Sequence, residues 1–217
     1  MIQLLNKEIK LASSPLSFLF LVFACMTFIP QYPILVGAFF VSFGLFHSFQ
    51  AAREADDIHY SVLLPIAKKD IVTSKYIFSV TLEITAFFLN TVFTILRMTV
   101  LKDAAAYQTN VMMFPNPVYL AFVLIIFAEF NYFFIRLFFK TAYYFGKPFV
   151  IFAVMAFLTV GIGETLHHIP GLSFLNSTNP ADLPVQLIIL LCGILIYIIV
   201  TILSWKASIK SLETIDL

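Results

Sequence analysis

The sequence predicts an all-α, polytopic membrane protein, and three observations carry that expectation. Of the 217 residues 61% are hydrophobic, with a mean hydropathy of +0.97. Only 12% are charged, against about 25% in an ordinary soluble domain. The apolar residues also gather into six runs parted by polar or proline-bearing stretches. A soluble fold already leaves about half of its surface apolar and has no room to hide this excess, so the bilayer is the matching solvent. The net charge is +1 and the Lys and Arg residues are scattered, which gives no basic face for nucleic acid.

Residues 1–13 are predicted to form an interfacial amphipathic helix. On a helical wheel Ile2, Leu4, Leu5, Ile9, Leu11 and Ala12 share one half, and Gln3, Asn6, Lys7 and Lys10 the other. Glu8 falls inside the apolar arc, where it either meets a protein partner or snorkels to water. A first span is expected over Pro15–Ile29 and a second over Ile34–Phe49, joined as a tight hairpin by the turn PQYP. No small-x-small cleavage site follows the first run, which reads as an uncleaved span. Both runs are short for a hydrocarbon core of about 30 Å, so tilt or local thinning is expected. Four more spans follow: Tyr76 to about Leu96, Val118–Phe139, Pro148 to about Leu166, and Pro184–Trp205. No internal repeat is visible, and the chain reads as a single transmembrane domain over 1–217.

Orientation follows from the basic residues. With the N-terminus inside, the inner segments carry Lys7, Lys10, Arg53, Lys68, Lys69, Lys75, Arg136, Lys140, Lys147, Lys206 and Lys210; the outer ones carry only Arg97 and Lys102. Both termini are therefore expected in the cytoplasm. Compact loops and the lack of a targeting sequence suggest a bacterial plasma membrane.

The long inner loop, residues 50–75, reads QAAREADDIHYSVLLPIAKKDIVTSK. A polar helix comes first, then an apolar stripe of Ile58, Tyr60, Val62, Leu63 and Leu64, then Pro65, which ends that element. Lys68, Lys69 and Asp70 open the next helix, which continues into the membrane. Such a protruding helix followed by a proline turn makes a rigid lever. Arg53, Glu54, Asp56 and Asp57 offer both charge signs to a partner surface. A basic anchor on anionic membrane lipid would account for Lys68, Lys69 and Lys75, but not for the acids or for Leu63 and Leu64.

Ionisable residues within spans are costly and so are candidates for function. Glu83, Glu129, Arg136 and Glu164 are such residues, with Asn131 beside Glu129. Glu129 and Arg136 stand seven positions apart, about 10 Å along a helix, so each is expected to find its partner on another helix. These groups either fix the bundle, line a substrate path or couple transport to ions. Most of the 26 phenylalanines are expected to face lipid; the alternative for clusters such as NYFFIRLFFK is that they line an apolar path between helices. Cys25 and Cys192 read as small buried hydrophobes, and Gly161 and Gly163 as points of close helix packing.

Catalytic chemistry finds little support. The nearest approach to a phosphate-binding loop, VGIGETLHH, lacks the lysine such a loop requires. His167 and His168 are adjacent, about 100° apart on a helix, and do not chelate together. Phe43-xxx-His47 matches one element of the intramembrane CAAX-type proteases, but their paired-glutamate motif is missing. No catalytic residue, metal ligand or cofactor is assigned to this chain.

In the loop after the second span the chain resembles a known family: the membrane subunit of ATP-binding-cassette (ABC) exporters of the type-two permease class. The residues that carry the resemblance are Leu64-Pro65, Lys68, Asp70-Ile71-Val72 and Lys75-Tyr76, within a topology like the family's over the whole chain. Ala67 stands where the family often has Ser or Thr, so the capping box with Asp70 is lost, at a cost of about 1 kcal/mol to the helix start. The resemblance implies that residues 50–75 form the coupling loop, with Arg53, Glu54, Asp56, Asp57, Leu64, Pro65, Lys68, Lys69 and Asp70 meeting a cytoplasmic ATPase subunit. It implies that residues 167–183 form short re-entrant outer helices. ATP and Mg would be bound by the ATPase partner, and a second permease chain, identical or related, would complete the exporter. A hydrophobic or amphipathic cargo, such as a peptide, toxin, drug or lipid, would be moved by alternating access. The alternatives are an ion-coupled secondary transporter working through Glu83, Glu129 or Glu164, and a membrane enzyme or structural subunit. Neither needs a protruding charged lever.

Overall fold

The computed structural model describes residues 2–108, 112–141 and 144–215, and all regular structure among them is helical. The chain opens with α1 (Ile2–Lys7), which passes into a π turn over Glu8–Ala12. Helix α2 (Pro15–Leu19) follows and tightens into a 3-10 helix over Phe20–Phe28. Then come α3 (Val36–Glu54), α4 (Asp57–Leu63), α5 (Lys68–Thr99) and the short α6 (Ala105–Gln108). Helix α7 (Pro117–Glu129) runs through a π turn (Phe130–Ile135) into α8 (Arg136–Thr141). Helix α9 (Gly146–Leu166), two 3-10 turns (Ser173–Asn176 and Pro180–Asp182) and α10 (Leu183–Glu213) complete the fold.

Among the described residues four helical stretches are long and apolar enough to cross a membrane: Lys68–Thr99, Pro117–Thr141, Gly146–Leu166 and Pro180–Glu213. A fifth counts if Gln3–Lys10 and Pro15–Phe28, which meet at 85°, are taken as one broken span. The sequence predicts six. The difference lies in the first two. The first is short, and α3 carries His47, Gln50 and Arg53 in its last two turns, which lower its hydropathy.

The first segment gains reach by changing helix type. Five α-helical and nine 3-10 residues extend it to about 25 Å, against about 21 Å for an all-α segment, because the rise is about 2.0 rather than 1.5 Å per residue. Three residues per turn also sort the 3-10 side chains into columns. Val22 and Cys25 point outward, and Ala24 and Thr27 point into the bundle. Phe20, Phe23 and Met26 lie on α3, where Gly37 and Gly44, two turns apart, leave the space: a Cβ at Gly37 would stand 2.7 Å from the Phe23 carbonyl oxygen, and one at Gly44 2.6 Å from the Phe20 Cβ. Ser17 donates to the Gly44 carbonyl at 2.6 Å, and the Ser14 amide donates to the Ser48 hydroxyl at 3.0 Å. Ser14 and Asn116 cap α2 and α7, each followed by a proline at the first helical position. The start of α5 has no side-chain cap at Ala67, as the sequence predicts.

The aromatic residues reverse one expectation. Phe130, Phe134, Phe138 and Phe139 are fully buried, and with Phe46, Phe49, Phe149 and Phe152 they form a continuous aromatic core between α3, the α7–α8 helix and α9. Phe130, Phe134 and Phe138 recur every four residues on the face that meets α3, and Phe139 turns instead toward Tyr76 on α5. The cysteines correct another: Cys25 and Cys192 are both exposed, on the outward faces of their helices. Gly163 does lie in a close contact, where a Cβ would stand 2.5 Å from Leu35 Cδ1, but Gly161 has open space around it. Besides Gly37 and Gly44, sequence reading missed a tight point at Gly193 on α10, where a Cβ would come within 2.9 Å of Ala121 on α7. Gly193→Val should therefore cost about 1–3 kcal/mol by forcing these helices apart. Gly161→Ala should be neutral or stabilising by up to about 1 kcal/mol. Thermal unfolding in detergent checks both, and equal responses would remove the α7–α10 contact as an explanation.

Candidate functional site

At one end of the bundle the N-terminal segment, α4 and the root of α5 meet in a buried ion cluster. Lys75 Nζ lies 2.9 Å from Glu8 Oε2 and 2.9 Å from Asp57 Oδ2. Lys7 Nζ lies 2.6 Å from Asp57 Oδ1 and 3.7 Å from Glu8 Oε1, and donates to the Ser61 hydroxyl at 2.7 Å. Lys75 and Glu8 are only 4% and 3% exposed, whereas Lys7 and Asp57, at 19% and 13%, reach the edge of the cluster, so two cations and two anions balance one another with water only on the Lys7 side. Burial alone raises the Asp57 pKa. Lys75 and Lys7 outweigh burial and hold the carboxyl below its ordinary 3.8. Glu8, the odd residue in the apolar arc of the amphipathic pattern, thus has its partner within the chain. Leu4 is buried beside it while Ile9 is exposed, so the inward face of this segment is partly polar. The side chains of Ile2, Leu11 and Ala12 lie outside the described ones.

Helix α4 stands on this cluster. Asp56 adopts a left-handed conformation (φ 48°), which an Asp tolerates, and so breaks α3 from α4. Pro65 stops α4, and Leu64 before it is extended. Ile58 and Ser61 face inward, whereas Tyr60, Leu63 and Leu64 are 67%, 82% and 51% exposed. Of the seven charged residues expected to meet a partner, Arg53, Glu54 and Asp56 are exposed, with Arg53 Cζ 5.0 Å from the centroid of Phe145 and Glu54 accepting from Gln50 at 3.0 Å. Asp57 is turned inward. Lys68 donates to the Ile215 carbonyl at 2.7 Å, Lys69 is exposed and Asp70 half-buried.

Deeper in the bundle a second polar group joins α5, the π turn and α10. Glu83, fully buried, accepts from the Tyr197 hydroxyl at 2.6 Å and from the Asn131 amide at 3.0 Å. Asn131 also donates to Thr201 at 3.0 Å, and Ser204 donates to the Asn131 carbonyl. Tyr76 closes the row, 3.1 Å from Ser204 and 2.9 Å from Ser208. The π turn brings Asn131 to this seam, and such turns commonly mark functional positions.

The other intramembrane candidates do not join it. Glu129 accepts from Thr159 on α9 at 2.5 Å, as an interhelical partner was expected to do. Glu164 accepts from the Met113 amide at 2.8 Å. Arg136 departs from expectation: its guanidinium lies 4.6 Å over the ring of Tyr132, one turn earlier in its own helical stretch. At the opposite end of the bundle, Asn176 accepts from the Phe114 amide at 2.5 Å and Asn116 donates to the Leu175 carbonyl at 2.8 Å, tying the loop before α7 to the loop before α10.

A family model described as ABC-2 family transporter protein matches residues 3–213. The chain belongs to the ABC-2 transporter family. No curated protein and no solved structure matches it. As an ABC-2 protein it is a multi-pass membrane subunit of an ABC transporter, in a family whose ATPase resides in a partner subunit.

Within this ABC-2 subunit, sequence reading missed Lys7 as the partner of Asp57 on α4 and Glu8 as the partner of Lys75 on α5. It also missed Tyr197, Thr201 and Ser204 as partners of Glu83 and Asn131, and the Tyr76 hydroxyl that joins Ser204 to Ser208. A signal for the second set exists. The α10 residues recur at steps of four, three and four, one polar stripe that runs from the apolar middle of the helix toward its end.

Proposed function

We propose that this ABC-2 subunit works in an exporter and takes its stroke from a separate ATPase through α4. The observation that supports this reading is the pairing of an apolar knob (Tyr60, Leu63, Leu64) on the outer side of α4 with the buried ion cluster at its root. A partner that grips the knob pushes Asp57. Asp57 pushes Lys75 at the base of α5, and Lys7 and Glu8 in the N-terminal segment. Arg53, Glu54, Asp56, Leu64, Pro65, Lys69 and Asp70 surround that contact, and the stroke re-orients the spans from inward- to outward-facing.

In this reading the chain has six spans, with the Pro15–Phe28 segment and α3 as the first two, and both termini face the cytoplasm of a bacterial cell, as the bias of Lys and Arg supports. Two permease chains and two ATPase subunits make the working assembly. Between its two ends the bundle offers mainly apolar, hydroxyl and aromatic side chains, which suits a hydrophobic or amphipathic peptide, toxin, drug or lipid.

The test is purification of the tagged chain from its own cells in mild detergent. A stoichiometric soluble protein with a phosphate-binding loop should co-purify with the native chain. It should be lost with Leu63→Glu/Leu64→Glu, whose exposed positions leave the fold intact. A native chain that purifies alone at every salt concentration would overturn the proposal in favour of an ion-coupled carrier.

A further inference from the structure

An open groove of about 250 Å³ runs between α5 and α10, on the side of the Glu83 seam that faces outward. Thr73, Ile77 and Val80 line it from α5, and Thr201, Ile202 and Trp205 from α10. Its walls are almost wholly apolar. Trp205 is fixed across one end, its indole N–H donating to the Thr73 hydroxyl at 3.1 Å. That end lies near the ion cluster, since α5 begins there and α10 finishes there.

Both helices place a lysine one turn beyond this end. Lys69 precedes Thr73 by four residues, and Lys206 follows Ile202 by four, so each continues the groove-lining row of its own helix. Both are exposed, and Lys210 extends the row on α10. Asp70, the nearest acid in sequence, is turned about 100° from Lys69 around the helix and is half-buried. Glu213, the other acid on this part of α10, is two turns beyond Lys206. Lys68 and Lys75 are occupied elsewhere, by the Ile215 carbonyl and by Glu8 and Asp57. An apolar slot, an indole at its mouth and two cations just above it together have the profile of a phospholipid: chain, interface and phosphate.

We propose that this groove holds an acyl chain of an anionic phospholipid of the membrane leaflet on the α4 side, with its phosphate between Lys69 and Lys206. The bound chain lies against Tyr76 and Thr201, and so against the outer edge of the seam that holds Glu83. Lipid charge at this leaflet is thereby linked to the packing of α5 on α10.

Trp205 is the single tryptophan of the chain, so its fluorescence reports the groove directly. The chain would be placed in nanodiscs of neutral lipid carrying a small, equal fraction of brominated phosphatidylglycerol or brominated phosphatidylcholine, and quenching compared. The glycerol lipid should be enriched at Trp205 about fivefold or more over the choline lipid, the preference expected of even one lysine at a membrane surface. Lys69→Gln/Lys206→Gln should abolish that preference while leaving quenching by the choline lipid unchanged. Val80→Phe, which fills the slot, should reduce quenching by both. Equal quenching by the two lipids in the native chain would identify ordinary annular lipid and overturn the proposal. So would a preference that survives the double lysine variant, or quenching by neither lipid, as when another protein chain covers the groove. No ATPase or transport is involved, so failure here is separate from failure of the exporter reading.

Discussion

Lys75→Met is expected to destabilise the protein by about 3–5 kcal/mol, the cost of leaving buried carboxylates without their cation. Glu8 and Asp57 both face that ammonium at 2.9 Å, and Lys7 alone would remain to balance two acids. Restoring the balance is the decisive control. With Glu8→Gln added, one cation and one anion remain, Lys7 and Asp57 at 2.6 Å, and most of the loss should be recovered. Thermal unfolding of the detergent-purified chains measures this, and a double variant no better than Lys75→Met would show that charge balance is not what Lys75 supplies. The pH response has a defined sign. In the native chain the Asp57 contribution is complete above pH 3.8 and is lost as the pH falls through its lowered value. Without Lys75 the desolvation of Asp57 has less to oppose it, so the deficit of the variant should be largest near neutrality and shrink on acidification.

Glu83→Leu is the second large effect expected. It leaves the Tyr197 hydroxyl and the Asn131 amide without their common acceptor in the centre of the bundle. A buried donor left unsatisfied costs about 1–3 kcal/mol, although hydrogen bonds between membrane helices average only about 0.6 kcal/mol when measured by pairs. A loss of about 2 kcal/mol lies between these bounds. Glu83→Gln keeps an acceptor of the same shape and should retain most of the stability. If the two variants unfold alike, the hydrogen bonds are not what holds α5 to α10.

The last four spans were legible because each is a long apolar run with a proline or a charged residue near its ends. Helix α5 begins at Lys68, where the sequence opens it, and α10 extends past its predicted limit at Trp205 to Glu213, since Ser208 and Leu212 in its last turns are buried against the rest of the bundle. Helix α4 and its end were legible for a related reason: Pro65 and the charges around it interrupt the apolar pattern. The ion cluster was not. Glu8 and Lys75 lie 67 positions apart, and nothing local to either names the other. Nor could the sequence show that the phenylalanines pack together, because lipid and a protein core are equally apolar. Which face of a helix is buried depends on its neighbours, not on its own composition.

The 3-10 geometry of Phe20–Phe28 also sets a reading frame. Its columns repeat every three residues, so inserting or deleting three residues keeps each side chain on its own wall, as a whole codon does in a gene. Removing a single residue rotates everything beyond it by a third of a turn. The place opposite Gly37 and Gly44 would then pass to side chains that now point outward or into the bundle. In this segment hydrophobicity is interchangeable from position to position, but phase is not.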